Sequence, residues 1–398
     1  MTGRWRILAL LSGAELLGMS LWFTASAVSP QLGELWGLGS GEIGWLTTMV
    51  QLGFVAGTAA AAILNLADVL PERPYFAASA ILGALANAGI AVAPGYEAAL
   101  ILRFLTGFFL AGVYPPAMKM IATWFRSGRG LAIGTIVGAL TVGKATPYLV
   151  HAFAEASIAF VVWTASAGAA VAGGLVLVGY RTGPHPFERK AFSWRLVGTV
   201  FGHRPTRLAI YGYLGHMWEL YAMWTLIALF MSEVFRSWGT ASAGAAGDIT
   251  AFGAIAAGGL GAVVAGHWAD RWGRERVAGG AMVVSGSCAA LAGWLVGASP
   301  WIVVPLALVW GFSVVADSAQ FSALVTEVAP RHAVGTALTL QTSLGFALTA
   351  VSIPLTIAAA GIFGWGPAFS LLAVGPLAGI VSLFQLEKLR SLNSTELA

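Results

Sequence analysis

Five ionisable residues, Glu15, Arg103, Lys144, Glu219 and Asp317, stand inside long apolar runs of this sequence, with His216 close by. A charge at the centre of a hydrocarbon layer costs on the order of 3 kcal/mol or more, so such side chains are expected to face a polar cavity or a partner. Two kinds of chemistry fit. A carboxyl enclosed in a dry cavity can load and release a proton. A buried cation can hold an organic carboxylate or another anion, with nearby hydroxyls adding hydrogen bonds.

Spacing groups these residues. Glu15, Met19, Trp22 and Ser26 recur at intervals of three or four, which places them on one helix face. His216, Glu219 and Met223 repeat that pattern, Arg103, Gly107 and Tyr114 share a face, and so do Thr141, Lys144 and Tyr148. Asp317 aligns with Ser313 and Gln320, and Gln341 with Gly345, Thr349 and Ser352. Each group also has a structural reading. A carboxylate can pair with a base or hydroxyl, His216 can pack beside Tyr211, Tyr213 and Trp218, and polar residues can bond between helices. The candidate substrate or coupling residues are Glu15, Trp22, Arg103, Tyr114, Lys144, His216, Glu219, Asp317 and Gln341.

The elements that hold them are membrane helices. Of 398 residues 58% are hydrophobic and 10% charged, against about 25% charged in soluble domains. Apolar runs of roughly 20 residues match helices that cross a bilayer and exceed the strands of an outer-membrane barrel. Twelve are expected, near 7–28, 43–65, 75–93, 98–121, 130–152, 158–179, 207–232, 249–268, 277–297, 301–324, 333–359 and 365–385. Arg4, Arg6 and Ala25-Ser26-Ala27 mimic a signal peptide, but the run between them is too long and holds Glu15. It is read as the first span, uncleaved. Cys288, the one cysteine, can form neither an intrachain disulfide nor a metal cluster.

The basic residues set the expected orientation. With the N-terminus in the cytoplasm, Arg236 alone of the 21 Lys and Arg falls in an outside loop, and Arg103 and Lys144 lie within spans. The rest lie at cytoplasmic loops, ends or tails, as the positive-inside rule requires. Both termini are therefore expected in the cytoplasm. The net charge of +4 is a topology signal, and no nucleic-acid partner is expected.

The longest interruption, about 180–206, carries Arg181, Arg189, Lys190, Arg195 and Arg204. With Phe187, Phe192 and Trp194 it suits the surface of anionic lipid. It separates an N-terminal six-helix bundle, 1–180, from a C-terminal one, 207–398, with 181–206 as central loop. The halves repeat. Ala67-Asp68 recurs as Ala269-Asp270, and Glu15-Leu16-Leu17-Gly18-Met19 as Glu219-Leu220-Tyr221-Ala222-Met223, in nearly one register. Such parallel repeats place a site at mid-membrane between halves.

The loop Gly266-His267-Trp268-Ala269-Asp270-Arg271-Trp272-Gly273-Arg274-Glu275-Arg276 closely resembles the Gly-x-x-x-Asp-Arg-x-Gly-Arg-x-Arg/Lys loop of the major facilitator superfamily. The equivalent loop after span 2 is degraded, with Asn65 and Val69 where the family has glycine and arginine. Arg103-Phe104-Leu105-Thr106-Gly107 resembles the family's intramembrane arginine motif, and Gly143-Lys144-Ala145-Thr146-Pro147 partly resembles a span-5 antiporter motif to which Lys144 is foreign. Within the superfamily the chain is loosely similar to bacterial permeases grouped with nitrate and cyanate transporters. Nitrate carriers rely on arginines in spans 2 and 8, and neither span has one here.

The resemblance implies an all-α membrane fold of two pseudo-symmetric six-helix bundles in the bacterial inner membrane. It also implies a conformational latch at Asp68, Arg73, Asp270, Arg271 and Arg274. The expected function is proton-coupled transport of a small, anionic organic solute by a monomer, without cofactor or metal. The rivals are an exporter of hydrophobic or cationic compounds, anchored by Glu15 and Glu219 amid Trp22, Trp218 and Trp224, and a transporter-like receptor without flux. No phosphate-binding loop, His-Glu-x-x-His or Gly-x-Ser-x-Gly supports an ATP-driven pump or an enzyme.

Overall fold

The computed structural model describes residues 3–64, 66–125, 129–154, 157–185 and 193–395. Twelve helical spans make two six-helix bundles, and no strand occurs among the described residues. The first bundle holds span 1 (Gly3–Met19 and Thr24–Ala27), span 2 (Ser40–Ile63), span 3 (Glu72–Ala88), span 4 (Tyr96–Leu110 and Tyr114–Ala122), span 5 (Arg129–Ala154) and span 6 (Ile158–Gly179). The second holds span 7 (Arg204–Ser237), span 8 (Ala243–Trp272), span 9 (Arg274–Ala292) and span 10 (Pro300–Ala316 and Ser318–Val328). Span 11 (Val334–Phe363) and span 12 (Trp365–Leu372 and Val374–Thr395) complete it. Ten spans are long and apolar enough to cross a membrane on those grounds alone. The other two, spans 1 and 7, carry Glu15 and Glu219.

Several boundaries differ from expectation. Span 1 is broken at residues 20–23, and the expected loop after it contains a helix, Ser29–Trp36, with Pro30 in its first turn. Span 4 breaks before Tyr114, where Pro115 and Pro116 open a new helix because their missing N–H groups are tolerated only in a first turn. Span 10 breaks at Asp317. Of the expected central loop, residues 186–192 lie outside those described, and Val197–Gly202 is helical.

Small residues let the spans approach closely. A methyl group on Gly53 or Gly57 would strike the span 4 carbonyls of Phe104 and Phe108, and one on Gly258 or Gly261 would strike those of Gly311 and Phe312 in span 10. Spans 2 and 4 thus pack as spans 8 and 10 do, in keeping with the repeat. The bundles meet through spans 5 and 8 and through spans 2 and 11. Gly138 of span 5 faces Gly259 of span 8 across that seam.

Candidate functional site

The centre of the molecule is built around Lys144. Its span, the fifth, crosses span 1 so closely that Gly143 lies on the Leu16 carbonyl, and this contact carries the next side chain to the seam between bundles. Lys144 is 4% exposed. Its Nζ donates to Tyr221 Oη of span 7 at 2.6 Å. It also stands over the rings of Trp22 at 4.2 Å, Tyr221 at 4.9 Å and Trp224 at 5.4 Å. A desolvated ammonium gains about 2 kcal/mol from such a ring face, so the aromatic cage replaces much of its lost hydration.

Further rings enclose this cage. Trp22 packs on Phe54 at 5.1 Å and Phe346 at 5.7 Å, and Phe23 lies against Tyr221 and Trp224. Tyr148 donates to the Trp224 carbonyl at 3.2 Å. Both bundles therefore contribute to one buried aromatic cluster holding one cation. The indole N–H groups of Trp22 and Trp224 are buried without a hydrogen-bond partner. Unmet buried donors are costly, and two of them belong to rings that surround the ammonium.

Glu15 lies on the same side of the first bundle. It is fully buried, neither carboxylate oxygen has a hydrogen-bond partner, and it interacts with Lys144 and Tyr114 through the field. Glu219 differs. Trp310 Nε1 donates to one of its oxygens at 2.6 Å and Ser285 Oγ to the other at 2.8 Å. These partners come from spans 10 and 9, so Glu219 is tied inside its own bundle. Glu15 and Glu219 recur in nearly one register, yet Glu219 is bonded to its own bundle while both oxygens of Glu15 stay without a partner.

Other candidates are also held within one bundle. His216 Nδ1 lies 2.8 Å from Asp317 Oδ1, an ion-pair distance with poor hydrogen-bond alignment, while its Nε2 meets Ser318 Oγ at 2.8 Å. That contact spans the break in span 10. Gln341 reaches Ser322 at 3.4 Å. Arg103 donates to the Leu21 carbonyl at 3.0 Å, to Asn87 Oδ1 at 3.2 Å, to the Leu46 carbonyl at 3.3 Å, and to the Trp22 carbonyl. It thereby satisfies carbonyls that the break in span 1 leaves without helical partners.

Two features escaped the sequence. Tyr221 lies two residues past Glu219, off the face used to group that span, and it meets Lys144 only through side chains reaching across the seam between the bundles. The other is a histidine–carboxylate contact between bundles at the face opposite the termini, His151 Nδ1 to Asp248 Oδ2 at 2.5 Å. A histidine and an aspartate at matching ends of spans 5 and 8 were the available signal. At the other contact between the bundles, Gly44 of span 2 abuts Ile357 of span 11. A cavity of about 240 Å³, walled by Ser26, Thr47, Thr225 and Leu226, opens between the halves there. Asp248→Asn weakens the closure at this face. A cysteine at Thr225, in a Cys288→Ser background, is then labelled by an impermeant maleimide about fivefold faster or more. Unchanged labelling would mean the pair does not hold the face shut.

The Major Facilitator Superfamily sequence profile matches residues 10–256, more than half of the chain. The chain belongs to the Major Facilitator Superfamily. Solved structures agree on the fold. The nucleoside transporter NupG superposes with a TM-score of 0.74 at 14% identity, covering 96% of this chain and 99% of that one. A bacterial homolog of the human lysosomal transporter Spinster, inward-facing and unoccupied, gives 0.68 at 14% identity, covering 97% and 96%. The human organic anion transporter MFSD10 gives 0.66 at 14% identity, covering 96% and 100%. At that identity the likeness is one of fold. No curated protein matches the chain by sequence.

Within this superfamily fold, the loop between spans 8 and 9 is tied down at the face carrying the termini. Arg274 bonds Glu327 Oε1 at 2.6 Å and Gln320 Oε1 at 3.0 Å, and lies 3.7 Å from Asp270. Arg390 bridges Glu275 at 2.5 Å and Glu327 at 3.2 Å. Arg271 is exposed and has no ion-pair partner among the described residues. In the first bundle Arg73 is half-buried, and the side chain of Asp68 lies outside those described. Glu72 fills the equivalent role there, 3.6 Å from Lys119 and accepting from Tyr180 at 3.2 Å.

Proposed function

We propose that this transporter carries a small organic anion together with a proton, binding the anion at Lys144 and the proton at Glu15. One observation supports the anion best: an ammonium enclosed by two indoles whose N–H groups lack acceptors. A carboxylate entering between the bundles would accept from all three and take over the role of the Tyr221 hydroxyl. The same atoms offer nothing to a cationic substrate while Lys144 is charged. Glu15 suits the proton because neither oxygen is committed, whereas Glu219 is doubly bonded and serves structure. The organic anion transporter among the similar folds carries such cargo, though its likeness here is in fold only.

In this reading the face with both termini is cytoplasmic, the membrane is the bacterial inner membrane, and one chain suffices. Alternating access opens the cage by parting spans 5 and 7 on one face at a time. The test is uptake of a panel of labelled mono- and dicarboxylates into proteoliposomes with an imposed pH gradient. Wild-type protein accumulates at least one of them, and Glu15→Gln lowers gradient-driven accumulation at least tenfold while leaving solute exchange intact. Flux indifferent both to the gradient and to Glu15→Gln would rule out proton coupling through this carboxyl.

A further inference from the structure

A cavity lies away from the seam, on the outer surface of the second bundle. It is a groove of about 310 Å³ between spans 8, 9 and 10, near the face that carries the termini. Its floor is formed by small residues, Ala265, Gly280, Ala281 and Ala316, and its inner end by Val284 and Phe312. Between Arg276 and Val284 it follows span 9 for about 12 Å, close to the hydrocarbon depth of one leaflet, about 15 Å. Ser313 also lines it, but that hydroxyl donates to the carbonyls of Val309 and Trp310 in its own helix. The groove therefore asks for hydrocarbon.

Its mouth differs in chemistry. Trp268 and Trp272 pack with ring centroids 5.3 Å apart on one side, tilted by 34° and both exposed, as tryptophans are at the headgroup level of membranes. Arg276 lines the other side, with its side chain 73% exposed. Its Nε is committed to Glu387 at 2.7 Å, and its terminal nitrogens have no further partner among the described residues. The unpaired Arg271 lies next to Trp272 in the same turn. An apolar trough of leaflet depth, with an indole pair and spare guanidinium nitrogens at its open end, has the layout of a bound lipid.

We propose that this groove is a binding site for an anionic phospholipid. One acyl chain lies on Gly280 and Ala281, and the phosphate is held by Arg276 and Arg271 at the tryptophan rim. The site is independent of the anion site at Lys144. It places a lipid against the loop between spans 8 and 9, the segment tied by Arg274.

Native mass spectrometry of the full chain in mild detergent, with added phosphatidylglycerol or phosphatidylcholine, tests this. The protein retains one phosphatidylglycerol, preferred over phosphatidylcholine by about fivefold for each cation engaged. Gly280→Leu removes the retained lipid, because a Cβ there meets nothing within 4 Å and the new side chain fills the trough without disturbing the fold. Arg276→Gln retains lipid but narrows the preference. Retention unchanged in Gly280→Leu, with wild-type unfolding temperature, would overturn the site. Equal retention of both lipids by the wild type would overturn its anionic character.

Discussion

Replacing Lys144 with methionine raises the half-saturation concentration for the transported anion about 10- to 100-fold, with little loss of folded protein. Hydrogen bonds to charged groups are worth about 1.5–3 kcal/mol, which corresponds to that range of affinity. Methionine has similar length and no charge, so the aromatic cage of Trp22, Tyr221 and Trp224 keeps a side chain to close on. The fold tolerates the change because the ammonium makes one hydrogen bond, to Tyr221, and burying an apolar chain there removes a desolvation cost. Solute counterflow in proteoliposomes, which needs no proton gradient, isolates this binding effect from coupling. Lys144→Arg recovers part of the affinity, since a planar fork fits the three-ring cage less well than a compact ammonium. Unaltered anion counterflow in Lys144→Met, or newly gained flux of organic cations, would favour an exporter that uses the cage for cations.

Arg103→Met has its main effect on stability. The guanidinium is the donor for the carbonyls of Leu21, Trp22 and Leu46 and for Asn87 Oδ1. Methionine leaves three buried acceptors unmet, the Leu21 and Trp22 carbonyls and Asn87 Oδ1, while the Leu46 carbonyl keeps its partner within the helix of span 2, and each unsatisfied group costs roughly 1–3 kcal/mol before relaxation. The apparent unfolding temperature in detergent falls by roughly 5–10 °C, and the yield of folded protein falls with it. Arg103→Lys recovers only part, because three donors on one atom cannot span carbonyls on spans 1 and 2 together with the Asn87 amide. Thermal unfolding followed by tryptophan fluorescence, alongside transport per folded molecule, separates the roles. Wild-type stability with abolished transport would make Arg103 a transport residue instead.

The spans were legible in sequence because the bilayer imposes a length. Almost any apolar run near 20 residues declares itself, and the repeat at Glu15 and Glu219 marked the halves as related. The break in span 1 was not legible. Residues 20–23 contain no proline or glycine, and what stabilises the break is Arg103, some eighty residues away in sequence. Glu15 and Glu219 show the same limit at the site. They share residue type and register, and their difference lies wholly in Ser285 and Trp310, on spans whose neighbours no local pattern reveals. Lys144 was singled out by its cost in an apolar run, whereas Tyr221 and the His151–Asp248 pair needed contact between helices from different halves.

The contrast between those two carboxyls bears on energetics. With Glu219 bonded twice and Glu15 bonded not at all, the proposed carrier has one group free to take a proton in each turnover. One proton moving with one monoanion transfers no net charge, so membrane voltage does no work on the loaded carrier. The chemical gradient alone drives accumulation. A pH unit is worth about 1.36 kcal/mol, which limits a monocarboxylate to about tenfold enrichment per unit of difference, whatever the potential across the membrane.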